Sequence, residues 1–160
     1  MKVFICHQKK DRAEAIQIVK YLKSLLIDVY FDEFDNELQN SERNNDPKGI
    51  VSAIKKGINT STHMICIISP NSLNSKWVPF EVGYGYDITD LTVLTLKGIN
   101  NTDLPDYIKT KPIIRDIYDI NMFVKKHGNK YLIESQNFLD YSNQSHPLIS
   151  IMDKIITLRS

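Results

Sequence analysis

A chain of 160 residues, 42% hydrophobic and 24% charged, is long enough for one domain with a substantial core and short for two. Lys and Arg number 20 against 19 Asp and Glu, so the chain lacks the basic surplus that phosphate-backbone binding draws on, and no nucleic-acid partner is expected. The longest unbroken apolar run, Met64 to Ile68, is about five residues against the roughly 20 of a spanning helix, so no membrane partner is expected.

Val3-Phe4-Ile5-Cys6 follows Lys2 directly, with no secretory apolar stretch before it, and predicts the first strand of a parallel sheet. His7 to Lys10 is a polar loop. Asp11 with Glu14 makes a capping-box pattern, and Ala15, Ile16, Val19, Leu22, Leu25 and Leu26 continue at helical spacing. Ile27 to Phe31 is the second strand, ended by Asp32, which completes a right-handed βαβ unit. From Glu33 to Lys48 the chain is polar, a connection long enough to suggest a functional loop. Pro47 then opens a helix with Ile50, Val51, Ile54 and Ile58 on its apolar face.

His63 to Ile68 is the third strand, and a helix is expected over Trp77 to Tyr86. Leu91 to Leu96 is the fourth strand, Gly98 to Lys111 a connection, and Ile113-Ile114 a short fifth strand. Tyr118 to Lys126 is helical and stops at Gly128. Residues 128–160 form a C-terminal extension. In it Pro147 starts a final amphipathic helix carrying Leu148, Ile149, Ile151, Met152, Ile155, Ile156 and Leu158. No repeat or linker breaks the chain, so residues 1–160 are read as a single domain. The alternation of elements predicts an α/β, flavodoxin-like doubly wound parallel sheet of about five strands with helices on both faces. Cys6 and Cys66 both lie in strand runs, with no CxxC or Cys/His ligand spacing. They read as buried free thiols of a cytoplasmic protein, and no metal site is expected.

Several α/β chemistries lack their motifs. There is no GxxxxGK[ST] for a P-loop, and Gly83-Tyr84-Gly85 is not followed by the third glycine of a dinucleotide fingerprint. A phospho-accepting receiver would need acids where His7-Gln8 and Ser69 stand, and no serine sits in a GxSxG elbow. One carboxylate beside an aromatic ring remains: Glu81, four residues after Trp77, on the same helical face. A single acid suffices to cleave a glycosidic bond whose leaving group is already cationic. Ordinary glycosidases need a second acid to protonate the leaving oxygen, but a nicotinamide leaves neutral without one. Glu81 and Trp77 fit that task. The ordinary alternatives are a solvated helix acid, a packing Trp and a loop histidine at His7. Gly83 and Gly85 within a helix suggest close approach of a neighbour or ligand, and Phe34 is an apolar residue in a polar loop.

The sequence resembles the Toll/interleukin-1 receptor (TIR) domains, specifically the stand-alone bacterial NADases of anti-phage (Thoeris-like) defence. Val3-Phe4-Ile5-Cys6-His7 resembles their first-strand box, with Cys6-His7 where Ser-Tyr is common. Asp28-Val29-Tyr30-Phe31-Asp32 resembles the second strand before the long BB loop. Ser69-Pro70-Asn71-Ser72-Leu73 with Ser75-Lys76-Trp77-Val78-Pro79-Phe80-Glu81 resembles the third-strand exit and following helix, and it is the most specific of the three. The core motifs lie in residues 1–100.

The resemblance implies NAD⁺ as substrate, with no cofactor, cleaved to ADP-ribose or a cyclic ADP-ribose signal read by a downstream effector. By position it makes Glu81 catalytic and places Cys6, His7, Lys9, Asp32, Phe34, Ser69, Trp77 and Tyr84 at the substrate. It also implies self-association through the 33–49 loop, although Asn45-Asp46-Pro47-Lys48-Gly49 replaces the usual Pro-Gly or Ala-Gly there. Two other functions stay open: a nucleoside or nucleotide N-glycosidase or deoxyribosyltransferase, and a non-catalytic TIR adaptor acting by homotypic contacts.

Overall fold

The computed structural model describes residues 1–32, 35–135 and 146–154. Five strands form one parallel sheet: β1 (Lys2–Cys6), β2 (Asp28–Tyr30), β3 (His63–Ile68), β4 (Asp90–Thr95) and β5 (Ile113–Ile114). Their spatial order is β2-β1-β3-β4-β5, so the winding reverses between β1 and β3. Register is set residue for residue, with Cys6 opposite Cys66 and Ile68 opposite Thr95. The central strands are apolar on both faces because both are covered.

One face of the sheet carries α1 (Arg12–Ser24), α6 (Ile117–His127) and the short α7 (Lys130–Ser135). Ile18, Leu22, Ile120 and Val124 pack there against Val3, Ile5, Ile65 and Ile67. The other face carries α2 (Asn36–Arg43), α3 (Pro47–Asn59), α4 (Val78–Gly85) and α5 (Asp106–Lys109). Leu38, Ile54, Ile58, Val82 and Ile108 bury Phe4, Cys6, Met64, Cys66 and Val93 on that side. The even-numbered residues of β1 therefore face α3 and α4, and the odd ones face α1.

Three local expectations change. The Glu33–Lys48 connection contains α2. Asp35 caps it, its Oδ1 accepting the N–H groups of Glu37 at 2.9 Å and Leu38 at 3.2 Å. Asn45, at φ 49°, then turns the chain into α3, where Pro47 occupies the first turn. Second, Asp11 does not cap α1 with its side chain. Third, the final helix expected from Pro147 is not formed over residues 147–154, which run as turns and bends. Leu148 and Met152 still reach the core at 0% exposure. The backbone there is tied sideways, Lys97 donating to the Ile151 carbonyl at 3.0 Å and Ile117 to that of Asp153 at 2.9 Å, which draws this stretch out along the sheet. Ile155, Ile156 and Leu158 lie outside the described residues.

The two helix glycines expected to mark a close approach behave differently. A Cβ on Gly85 would stand 2.2 Å from the Met64 methyl, whereas one on Gly83 would meet nothing within 4 Å. In α3, a Cβ on Gly57 would stand 2.7 Å from the Tyr30 ring, which cannot move freely because it stacks on Phe4 at 5.2 Å. Opposite outcomes are expected from one chemical change. Gly83→Ala should stabilise the fold by about 0.5–1 kcal/mol, a rise of roughly 2–3 °C in Tm. Gly57→Ala should lower Tm despite the same propensity gain, as thermal unfolding by circular dichroism will show.

Candidate active site

The chain leaves β1 toward α1 on one face and leaves β3 toward α4 on the other. The strand ends thus part at the winding reversal, and a cavity of about 340 Å³ opens beside them. His7, Gln8 and Lys9 form the wall after β1, and Tyr30 and Asp32 the wall after β2. Leu38 and Glu42 come from α2, and Ile50 and Ile54 from α3. Asn74 to Trp77 close the side after β3, with Phe4 and Glu81 at the inner end.

Glu81 lies in the first turn of α4, its N–H donating to the Trp77 carbonyl at 2.9 Å. It is only 8% exposed. Burial pushes its carboxyl up to about 8; a hydrogen bond with the Cys6 thiol opposes the shift, and the charge of Asp32 adds to it. Glu81 is therefore mostly protonated at neutral pH. Cys6, the last residue of β1, is fully buried, and its thiol is pushed well above the usual range, chiefly by its hydrogen bond to Cys66 and by burial. It acts as a proton-bearing neighbour of the acid and is no nucleophile.

His7 lies with Nε2 3.8 Å from Asp32 Oδ1 and its ring beside Phe31. Tyr30 stacks nearly parallel on Phe4 and donates its hydroxyl to Asp35 Oδ2; burial, chiefly, raises the phenol above its ordinary range. Lys9 pairs with Glu42 at 2.6 Å across the cavity mouth. With side chains 73% and 34% exposed, that pair adds little stability, but it ties the β1 exit to α2. Trp77 is 40% exposed, its ring nearly perpendicular to that of Phe80 at 5.9 Å, and it lines the cavity.

Five residues singled out from sequence thus meet around one cavity: His7, Lys9, Asp32, Trp77 and Glu81, with Cys6 directly behind Glu81. Ser69 and Tyr84 do not line it. The Ser69 hydroxyl is buried and donates to Asp11 Oδ2, while the Tyr84 hydroxyl donates to Asn59 Oδ1 at 3.0 Å and its ring lies 5.2 Å from the Lys55 ammonium. Phe34 lies outside the described residues. Sequence reasoning missed Tyr30, Glu42 and the α3 isoleucines. Tyr30 was legible as the residue alternating with Asp32 along a strand. Glu42 was hidden because the Asp35 cap signal before Asn36-Glu37-Leu38 was passed over. Glu81 is accordingly not a lone acid: Asp32 and Glu42 share its cavity.

The sequence profile of the TIR domain matches residues 3–130. The chain belongs to the TIR domain family. A protein of Cytobacillus dafuensis provisionally named cyclic ADP-D-ribose synthase TIR2 is 32% identical over 87 residues, which are 54% of this chain and 22% of that relative. The chain therefore corresponds to a small part of that protein. In fold it is similar to the crystallised TIR domain of the Toll-related receptor TRR-2 from Hydra magnipapillata, at TM-score 0.55 and 16% identity over 88% of this chain and 98% of that one. No described helix of this TIR domain is long and apolar enough to cross a membrane.

The burial of Glu81 has a measurable consequence. Its folded-state value of about 8 exceeds the ordinary 4.5, so the fold holds a proton that the unfolded chain has lost between those limits. Stability is fully present below about pH 4.5, falls as pH rises, and levels off above about 8. Glu81→Gln removes this dependence. The variant should match the wild type near pH 4.5 and exceed it above pH 8 by on the order of 5 kcal/mol, measured as urea midpoints across pH.

Proposed function

We propose that this TIR domain cleaves the nicotinamide–ribose bond of NAD⁺, releasing nicotinamide and yielding ADP-ribose or a cyclised ADP-ribose. The observation that carries the reading is Glu81, a desolvated carboxyl at the inner end of a cavity walled by Trp77 and Tyr30. An acid held neutral by burial and a neighbouring negative charge ionises when a cation arrives and offsets both. The nicotinamidium-ribose is such a cation. Its charge stabilises the carboxylate, so Glu81 releases its proton to solvent, and the carboxylate then faces the positive charge that grows at the ribose C1′ as the bond breaks. The leaving ring becomes neutral and needs no proton, so no general acid is spent. Trp77 supplies a ring face, and the Lys9–Glu42 pair marks the mouth through which a charged nucleotide enters.

NAD⁺ is the substrate here, and the reaction needs no further cofactor. The name of the Cytobacillus relative, cyclic ADP-D-ribose synthase, lies in the same chemistry and supports the reading. In this reading the 33–49 segment mediates self-association and the nucleotide product is a signal for a downstream effector in bacterial anti-phage defence.

A second reading rests on the same cavity. Glu81, neutral at pH 7, beside Asp32 forms an acid and carboxylate pair suited to a nucleoside whose base must be protonated on leaving. The pH profile separates the two. For NAD⁺ the working form of Glu81 is the carboxylate, so kcat/KM should rise with pH and level off above about 8. For a neutral nucleoside it should fall over the same range. Mass spectrometry of products from concentrated protein with NAD⁺ should show nicotinamide, and Glu81→Gln should reduce its release by at least about 10²-fold. Release of base from deoxynucleosides but not from NAD⁺ would favour the second reading. No release from either would leave a non-catalytic adaptor.

A further inference from the structure

Asp11 is buried to 3% exposure at the end of the short 3-10 helix Lys9–Asp11, and its side chain makes no cap to α1. Both carboxylate oxygens instead face the loop leaving β3. Oδ2 accepts the Ser69 hydroxyl and Oδ1 accepts the Asn71 amide at 2.7 Å. Ser69 Oγ in turn accepts the backbone N–H groups of Asn71 at 3.0 Å and Ser72 at 3.2 Å. Ser72 closes the turn, its hydroxyl donating to the Ser69 carbonyl at 2.9 Å and accepting the Ser69 N–H at 2.7 Å. A carboxylate withdrawn from water is tolerated only when its oxygens are engaged, and such a network loses much of its worth if one member shifts.

The two segments joined here are the two loop walls of the cavity. His7, Gln8 and Lys9 line the cavity just ahead of Asp11, separated from it by Lys10 alone. Asn74 to Trp77 follow the Ser69–Ser72 turn, and the Trp77 carbonyl accepts the Glu81 N–H. Asp11 itself does not line the cavity. We propose that Asp11 is a positioning residue: through Ser69 and Asn71 it fixes the spacing of the two loop walls, and so the place of the substrate's nicotinamide-ribose relative to Glu81. The proposal rests on the NAD⁺ reading above. Displacements of about 1 Å at such a distance from the chemistry cost up to about 10²-fold.

Steady-state kinetics with NAD⁺ test it in Asp11→Asn, Asn71→Asp and the double variant. In Asp11→Asn an amide confronts an amide and one acceptor is lost. The double variant restores one carboxylate and one amide in exchanged places. Expected are a KM about tenfold higher in each single variant, a kcat that falls by less than about threefold, and return of KM to within about threefold of wild type in the double. A purely structural brace would lower Tm and leave KM of the folded protein unmoved, and that result overturns the proposal. If Asp11→Asn does not fold, Asn71→Ala decides, because Asn71 is half-buried and its loss leaves the Asp11–Ser69 bond intact. A KM rise of about threefold is expected, and no rise overturns the role.

Trp77 is the only tryptophan, so its fluorescence reports binding without turnover. In Glu81→Gln, adding Asp11→Asn should weaken NAD⁺ quenching about tenfold, and equal quenching argues against the proposal. If wild type releases no nicotinamide and NAD⁺ leaves Trp77 unquenched, the functional reading has failed and takes this role with it. An active wild type with unmoved KM in the variants removes only Asp11.

Discussion

Removing a carboxyl group from water is the constraint around which this molecule is arranged. The parallel sheet makes it unavoidable. At the reversal between β1 and β3 the chain departs to opposite faces, and α4 begins beside the vacated strand ends with Glu81 in its first turn. Val78 and Val82 anchor that turn in the core at 4% and 1% exposure. Glu81 is therefore carried inward by its apolar neighbours on the same helix, whatever the cost to its own charge.

Two buried acids in the same region meet this cost differently. Asp11 uses both oxygens, one on the Ser69 hydroxyl and one on the Asn71 amide, and is locked in place. Glu81 is left with a thiol and a nearby negative charge, and keeps its proton up to about 8. The first arrangement is suited to holding a scaffold. The second leaves an acid whose ionisation waits for a positive partner, as a site for a cationic substrate would be built. Their proximity in the fold follows from the topology: Asp11 ends the β1 exit and Ser69 begins the β3 exit, and these exits flank the cavity that Glu81 closes.

The sheet was legible because its signal is physical and local. Val3 to Cys6 and Met64 to Ile68 are continuous apolar runs and Leu91 to Leu96 is broken only by Thr92 and Thr95, the pattern of strands covered on both faces. Glu81 and Trp77 were legible because a short motif kept them at helical spacing after a strand. What was misread depends on distant partners. Asp11 with Glu14 reads locally as a cap, yet its carboxylate is claimed by Ser69 and Asn71 across the sheet edge. Ser69 read as a ligand contact for the same reason, since its true partner lies 58 residues away. The apolar stripe after Pro147 has helical spacing, but backbone N–H donors of the β4 exit and α6 claim its carbonyls. In each case tertiary hydrogen bonds outweighed a local pattern.

Cys6 shows how finely the site depends on one atom type. The resemblance to other TIR domains places a serine commonly at this position, and a hydroxyl is a far stronger donor to a carboxylate than a thiol. The Cys6 thiol faces Cys66 across β1 and β3 and is held well above its ordinary value, so it stays protonated and gives Glu81 only weak support. A strong donor there would stabilise the carboxylate in the empty cavity and lower the pH at which it ionises. In the NAD⁺ reading proposed above, a thiol at this position leaves the ionised form of Glu81 dependent on the arriving cation, because the end of β1 offers the carboxylate only a weak donor.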